Sequence, residues 1–242
     1  MKICAIIPIK HISQRVPGKN YRLMNGKPLY HYILDTVLKC KYISHIIIDT
    51  NSDIIKEGIQ EHYDCQNISV YDRPVDLQPG DTPVNKLLIN VIKSLNLQYD
   101  FYLQTHTTNP LLSVKTLNKV IETFYQKINN GYDSLFTVKT LQTRLYKLGE
   151  DKNVVALNHD INELLPTQDL EPLYEENSCI YIFTSNVLIK KKHRIGYNPY
   201  MFIMNDIESQ DIDTEFDFKT TELLQDLSID NIKKIVLITG VN

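Results

Sequence analysis

The chain has 242 residues, 43% hydrophobic and 23% charged, with a formal net charge of -3. Such a composition suits a soluble globular protein, offers no global attraction to nucleic acid, and contains no apolar run near the roughly 20 residues of a membrane span. Four scattered cysteines, Cys4, Cys40, Cys65 and Cys179, lack zinc-site spacing, and the apolar N-terminus ends at Lys10 without a cleavage signal, so reduced thiols and a cytoplasmic location are expected.

The first element is ICAIIPI, a buried strand. It runs into KHISQRVPGKN, where Lys10, Arg15 and Lys19 fall close together, with Ser13 and Asn20 as added hydrogen-bonding groups. This loop can hold a triphosphate, but it matches neither the dinucleotide fingerprint nor the P-loop, and charge alone equally describes a solvated surface. Leu29, Ile33 and Val37 then share a helix face, and HIIIDT and ISVY read as further strands. In YDRPVDLQPGDTPVNK, Arg73 follows a strand and Asp81-Thr82-Pro83 reads as a helix start. That helix buries Leu88, Val91, Ile92 and Leu95.

DFYLQ is the next strand, and FYLQTHTTNP turns polar at Gln104, offering Gln104, Thr105, Thr107 and Asn109 to a hydroxylated ligand or simply forming a connecting loop. With no Ser or Cys nucleophile motif beside it, His106 reads as a loop histidine. A helix on Leu117, Val120, Ile121 and Phe124 and the strand DSLFTV complete the alternation. Repeated strand-helix units build a mostly parallel sheet covered on both faces, with ligands at the carboxyl ends of the strands. Over residues 140–197 the rhythm breaks. There KLGEDKNVVAL and SCIYIFTS read as strands without a regular helix between them, an inserted β-rich arm suited to an oligomer contact. The remainder returns to one α/β domain spanning residues 1–242, with a helix near residues 215–226 and a last strand, KKIVLIT.

MNDIESQDIDTEFDF carries a second constellation. Extended backbone puts Asp211 and Asp213 on one side. Two carboxylates about 4 Å apart repel by roughly 4 kcal/mol at an effective dielectric near 20, so their approach implies a cation or a proton. Magnesium, which takes one or two carboxylates plus phosphate oxygens and water, fits that pair. Thr214 with Asp217 three residues on reads as a helix cap, which leaves Asp211 and Asp213 free.

Four motifs in this order, IIPIKHISQRVPGKN with NGKPL, RPVDLQPGDT, LQTHTTNPLL and DIDTEFDF, resemble the acylneuraminate cytidylyltransferases (CMP-sialic acid synthetases). The likeness runs from Ile3 to Phe218. It implies a Rossmann-like, three-layer αβα enzyme, a homodimer through its arm, that joins CTP to an acidic 2-keto sugar and releases a CMP-sugar and pyrophosphate. It implies no nucleic-acid or membrane partner. By the same resemblance Lys10, Ser13, Arg15, Lys19 and Asn20 line the nucleotide loop, with Lys10 and Lys19 counted among the catalytic groups. Arg73 and Thr82 approach the cytidine, Gln104 faces the sugar, Lys147, Gln168 and Tyr181 line the sugar pocket from the arm side, and Asp211 and Asp213 hold Mg2+.

The chain also departs from that pattern. The family often has arginine in place of Lys10, arginines in place of Thr167 and Glu175, and glycine in place of Ser178. These changes point to an altered sugar site and leave a legionaminic, pseudaminic or other 2-keto-3-deoxy acid as open as sialic acid. A transferase of the same fold using another nucleotide or sugar, and a catalytically silent nucleotide-sugar-binding protein, stand as alternatives.

Overall fold

The first buried run forms β1 (Ile3–Ile9), whose side chains alternate between two separate cores. In the computed structural model, which describes residues 2–63 and 67–226, a small hairpin of β2 (Leu23–Met24) and β3 (Lys27–Pro28) follows and leads into α1 (Leu29–Leu38). Next come β4 (Ile43–Thr50), α2 (Asp53–His62), β5 (Ile68–Asp72), α3 (Val84–Ser94), β6 (Phe101–Thr105), α4 (Val114–Ile128) and β7 (Ser134–Leu141). The chain continues through β8 (Tyr146–Leu148), β9 (Val154–Ala156), β10 (Leu173–Phe183), α5 (Ser185–Lys191), β11 (Pro199–Ile203) and α6 (Glu215–Asp226). Cys65 and KKIVLIT lie outside the described residues.

Seven strands form one sheet in the order β11-β7-β10-β6-β1-β4-β5. The pairings run parallel except those of β10, which lies antiparallel between β6 and β7. One face packs Ile3, Ala5 and Ile7 of β1 against α1, α2 and α4, through Ile33, Val37, Ile55, Ile59, Leu117, Val120 and Phe124. The other packs Cys4 and Ile6 with Tyr102, Tyr181 and Phe183 against α3 and α5, through Leu88, Val91, Ile92 and Leu188. Burial on both faces explains why these strands read as near-continuous apolar runs. The expected α/β architecture is therefore present.

The arm expected over residues 140–197 is smaller than that. SCIYIFTS belongs to β10 in the central sheet, and α5 packs on the α3 side of it. What leaves the sheet is the stretch carrying the β8-β9 hairpin, so KLGEDKNVVAL spans two short strands and their turn. The physical cause lies in β10 itself. Its pairing with β7 shifts register between Glu176 and Tyr181, and Ser178 within that bulge has a φ of 55°. The bulge interrupts the apolar pattern, and the strand before it is polar and exposed, so half of a central strand looks like an arm.

Two consequences follow for the site. Pairing β6 with β10 sets Tyr181 directly opposite Gln104, and β1 on the other side sets Ile6 beside it. The loops after β1, β4 and β6 leave the sheet at the same edge, because the three strands are parallel.

Candidate active site

The loop after β1 is a folded cradle of side chains. Gly18 adopts φ 64°, and a Cβ there would meet the Tyr21 ring at 2.9 Å, so the turn needs glycine. Its carbonyl accepts from the backbone N–H groups of Tyr21 (3.0 Å) and Arg22 (2.9 Å). Asn20 then closes the loop: its Nδ2 donates to the Lys10 carbonyl at 2.7 Å, while its Oδ1 accepts the Thr107 hydroxyl at 2.6 Å. The loop is thereby tied to the end of β6. Lys19 is buried and donates through Nζ to the Ile212 carbonyl. The N–H of Ile212 in turn donates to the Thr108 carbonyl at 2.9 Å. Three segments distant in sequence, residues 10–20, 104–109 and 211–213, thus meet at the carboxyl edge.

Asp211 and Asp213 carry the charge at that meeting point. Burial raises the Asp211 carboxyl above its ordinary value, and the like charge of Asp213 adds to it, while Thr108 and Lys19 pull it back. Burial likewise lowers the Lys19 ammonium, against the attraction of both aspartates. Asp213 pairs with Arg15 at 2.6 Å. Thr214 and Asp217 form the expected cap, with the Asp217 N–H donating to Thr214 Oγ1 (3.2 Å) and the Thr214 N–H to Asp217 Oδ2 (2.7 Å). Behind it, Arg22 makes a bidentate pair with Glu215, both contacts at 2.7 Å, and its guanidinium carbon lies 4.1 Å from the centre of the Phe218 ring. The cap and this clamp hold the start of α6 against the first loop.

The donor set suits a small hard cation. Asp211 Oδ1 is buried and accepts no hydrogen bond, an orphaned acceptor of the kind a metal ion satisfies. Among the described residues no three His, Cys, Asp or Glu side chains converge. A cation here would therefore rest on the two aspartates, with phosphate oxygens and water completing its shell.

Beside this pair lies a polar cluster on β6 and β10. Gln104 is fully buried; its Nε2 donates to the Thr105 carbonyl at 3.0 Å and its Oε1 accepts from Arg194. Tyr181, also fully buried, donates its hydroxyl to Glu176. Burial raises the Tyr181 phenol and so keeps it protonated. Burial, aided by Arg194 and Lys19, lowers His106 to about 3, leaving its imidazole neutral. Arg194, His106 and Glu176 were not legible as site residues. Arg194 closes the run KKKHR, which composition alone assigns to solvent, and His106 is drawn in by tertiary contacts.

The other expected site residues are placed differently. Arg73 is buried against Asp49, with Nε 3.1 Å from Oδ1 and a terminal nitrogen 2.9 Å from the Asp49 carbonyl, so it locks the ends of β4 and β5 together. Thr82 sits in the turn before α3, its N–H 3.0 Å from the Pro79 carbonyl, and the helix begins at Val84. Ser13 is buried within the first loop, while Lys10 is exposed. Lys147 on β8 and Gln168 are exposed on the arm, with no hydrogen bond to Gln104 or Tyr181 among the described residues.

A mostly parallel sheet whose carboxyl edge gathers lysine, arginine and a pair of aspartates has the layout of a nucleotide-handling α/β enzyme. The comparison with known families makes this specific: a family model described as cytidylyltransferase matches residues 4–236, and the chain belongs to that family. It is 28% identical over 239 residues to the CMP-N,N'-diacetyllegionaminic acid synthase of Legionella pneumophila, covering 94% of this chain and 98% of that protein. It is 26% identical over 228 residues to a pseudaminic acid cytidylyltransferase of Campylobacter jejuni, covering 93% and 96%.

Among solved structures, a CMP:2-keto-3-deoxy-manno-octonic acid synthetase complexed with CTP superposes with a TM-score of 0.66 at 12% identity, over 93% of this chain and 99% of that one. The 4-diphosphocytidyl-2C-methyl-D-erythritol synthase of Anaerococcus prevotii gives 0.63 at 16% identity, over 93% and 96%. At these identities the likeness is one of fold. No helix among the described residues is long and apolar enough to cross a membrane.

Proposed function

We propose that this protein transfers CMP from CTP to the C2 hydroxyl of a nonulosonic acid, a sugar carrying a carboxylate on the reacting carbon, and releases pyrophosphate. The observation that carries this reading is the convergence of Lys19, Arg15, Asp211 and Asp213 at one edge of the sheet, tied through Thr107 and Thr108 to the loop that follows Gln104. Relatives named for legionaminic and pseudaminic acid chemistry support the choice of sugar class.

In the reaction the hydroxyl oxygen bonds to the α-phosphorus and the bond from that phosphorus to the bridging oxygen breaks. Magnesium, when held by Asp211 and Asp213, would supply charge neutralisation at the phosphates. Lys19 and Arg15 offset triphosphate charge from the other side, and the hydrogen bonds of Asn20 hold their loop in place. Gln104 orients the acceptor sugar. The hydroxyl proton passes to solvent or to a carboxylate of the aspartate pair. Arg15 has to exchange its contact with Asp213 for phosphate as the nucleotide and cation enter. The arm presents exposed Leu148, Val154, Ile161 and Leu164, a surface suited to a second copy of this chain, and Lys147 lies on the same hairpin.

The test is pyrophosphate release with CTP, Mg2+ and a panel of legionaminic, pseudaminic, neuraminic and octulosonic acids. Release with a nine-carbon acid is expected. Folded protein that binds CTP yet releases no pyrophosphate with any of them would overturn the proposal.

A further inference from the structure

Arg194 is a buried cation that the reaction above leaves without a task. Lys192, at φ 55°, ends α5 and turns the chain. The Arg194 N–H then donates to Asn85 Oδ1 at 3.0 Å in the first turn of α3, which fixes its backbone beside the turn that carries Thr82. The side chain is buried. One terminal nitrogen donates to Gln104 and lies 3.5 Å from His106 Nε2, and the guanidinium carbon stands 3.5 Å from the centre of the Tyr181 ring.

These neighbours orient the group and, through Glu176 and Tyr181, offset its burial only in part. Gln104, the Tyr181 ring and the neutral His106 carry no charge. The nearest carboxylate, Glu176, is 3.7 Å from the second terminal nitrogen, beyond the 2.7–2.9 Å typical of a charge-assisted hydrogen bond. Glu176 is also 43% exposed and already accepts the Tyr181 hydroxyl. Burial still outweighs these partners, and a guanidinium taken out of water with one long, half-exposed carboxylate contact can take a further anion on its planar fork.

We infer that Arg194 receives the carboxylate of the acid sugar and so sets the enzyme's requirement for an acid at the reacting carbon. On binding, the guanidinium keeps its hydrogen bond to Gln104 and gives up the long contact to Glu176 for a bidentate pair with the substrate. The cation reaches the sugar site from the turn after α5, next to the nucleotide-side turn before α3. The inference rests on the cytidylyltransferase reading above.

The test compares the nine-carbon acid that wild type turns over in the panel above with its C1 carboxamide, which has the same shape and no charge, at saturating CTP and Mg2+. Wild type should prefer the acid by at least about 100-fold in kcat/KM, and Arg194→Gln should shrink that preference by at least about tenfold while leaving KM for CTP within about twofold. Should Arg194→Gln fail to fold, judged by circular dichroism, Arg194→Lys keeps the charge without the fork and should shrink the preference by at least about threefold. Equal loss of acid and amide turnover in the variant is what a brace for Gln104 would produce, and it would overturn the assignment. Absence of turnover by wild type with every nine-carbon acid of that panel, from protein that binds CTP, falls in the wild-type arm and overturns the nonulosonic acid reading, whereas the role of Arg194 is overturned by the variant arm alone.

Discussion

Asp211→Asn should make the protein more stable and less active, and the size of the first effect follows from the site. Asp211 Oδ1 is buried with no hydrogen-bond partner, and Asp213 adds a like charge. A buried polar atom without a partner costs about 1–3 kcal/mol, more when charged. The amide, keeping its oxygen on Thr108, leaves an unpartnered N–H in place of Oδ1 and forfeits attraction to Lys19, which offsets part of the gain, so the lower end of that range, about 1 kcal/mol, is the expected net stabilisation. For a chain of this length that corresponds to a rise of about 2–4 °C in Tm, readable by calorimetry without added metal. Adding Mg2+ with CTP should raise the Tm of wild type further and move the variant much less, because one of the two carboxylates proposed to hold the cation is gone. Turnover should fall by at least about tenfold. Retention of wild-type turnover would remove Asp211 from the metal site. A loss of more than about 1 kcal/mol without metal would show that the carboxylate is a structural group whose cost has been misjudged.

Lys19→Gln should lower turnover by about 100-fold or more, since it deletes the buried cation between the first loop and the aspartate pair; turnover within about threefold of wild type would exclude Lys19 from the phosphate site. Ser178→Gly should raise stability by about 0.5–1 kcal/mol, because φ 55° costs a serine about 1–2 kcal/mol and the added freedom of glycine in the unfolded chain returns part of that. Urea unfolding measures it, and a destabilised glycine variant would show that the serine hydroxyl matters more than the backbone. His31 is buried with an unpartnered Nε2, and burial, with His62 and Lys27 adding, lowers it to about 4. Its folded-state value lies below its unfolded one near 6.5, so the unfolded chain takes up the proton first and stability is lost as pH falls from about 6.5 to about 4, by roughly 3 kcal/mol. His31→Phe should flatten that part of the stability-pH curve, and an unchanged curve would assign the loss to other groups.

What could be read from the sequence follows from where each residue sits on the sheet. β1, β4 and β6 were legible because burial on both faces writes an apolar run into the chain, and the polar residues that end such runs mark the carboxyl edge. Lys19, Asn20 and Gln104 were singled out that way and Asp211 and Asp213 from their acidic cluster, and hydrogen bonds between the segments that carry Lys19, Asn20 and the aspartates cross up to 193 residues. β11 escaped notice because Pro199 opens it and none of its side chains is fully buried, while β10 was read only from SCIYIFTS onward and assigned to the arm because a bulge breaks its pattern. Arg194 was hidden for a different reason. It reaches the edge from the turn after α5, where neighbouring lysines give a solvated composition, and only contact with Gln104 across 90 residues shows it to be buried. On the proposal above, substrate selection in such a fold rests on one side chain outside the motifs that identify the chemistry. That is consistent with a chain whose nucleotide loop reads clearly while Thr167 and Glu175 stand where the resembling family carries arginines.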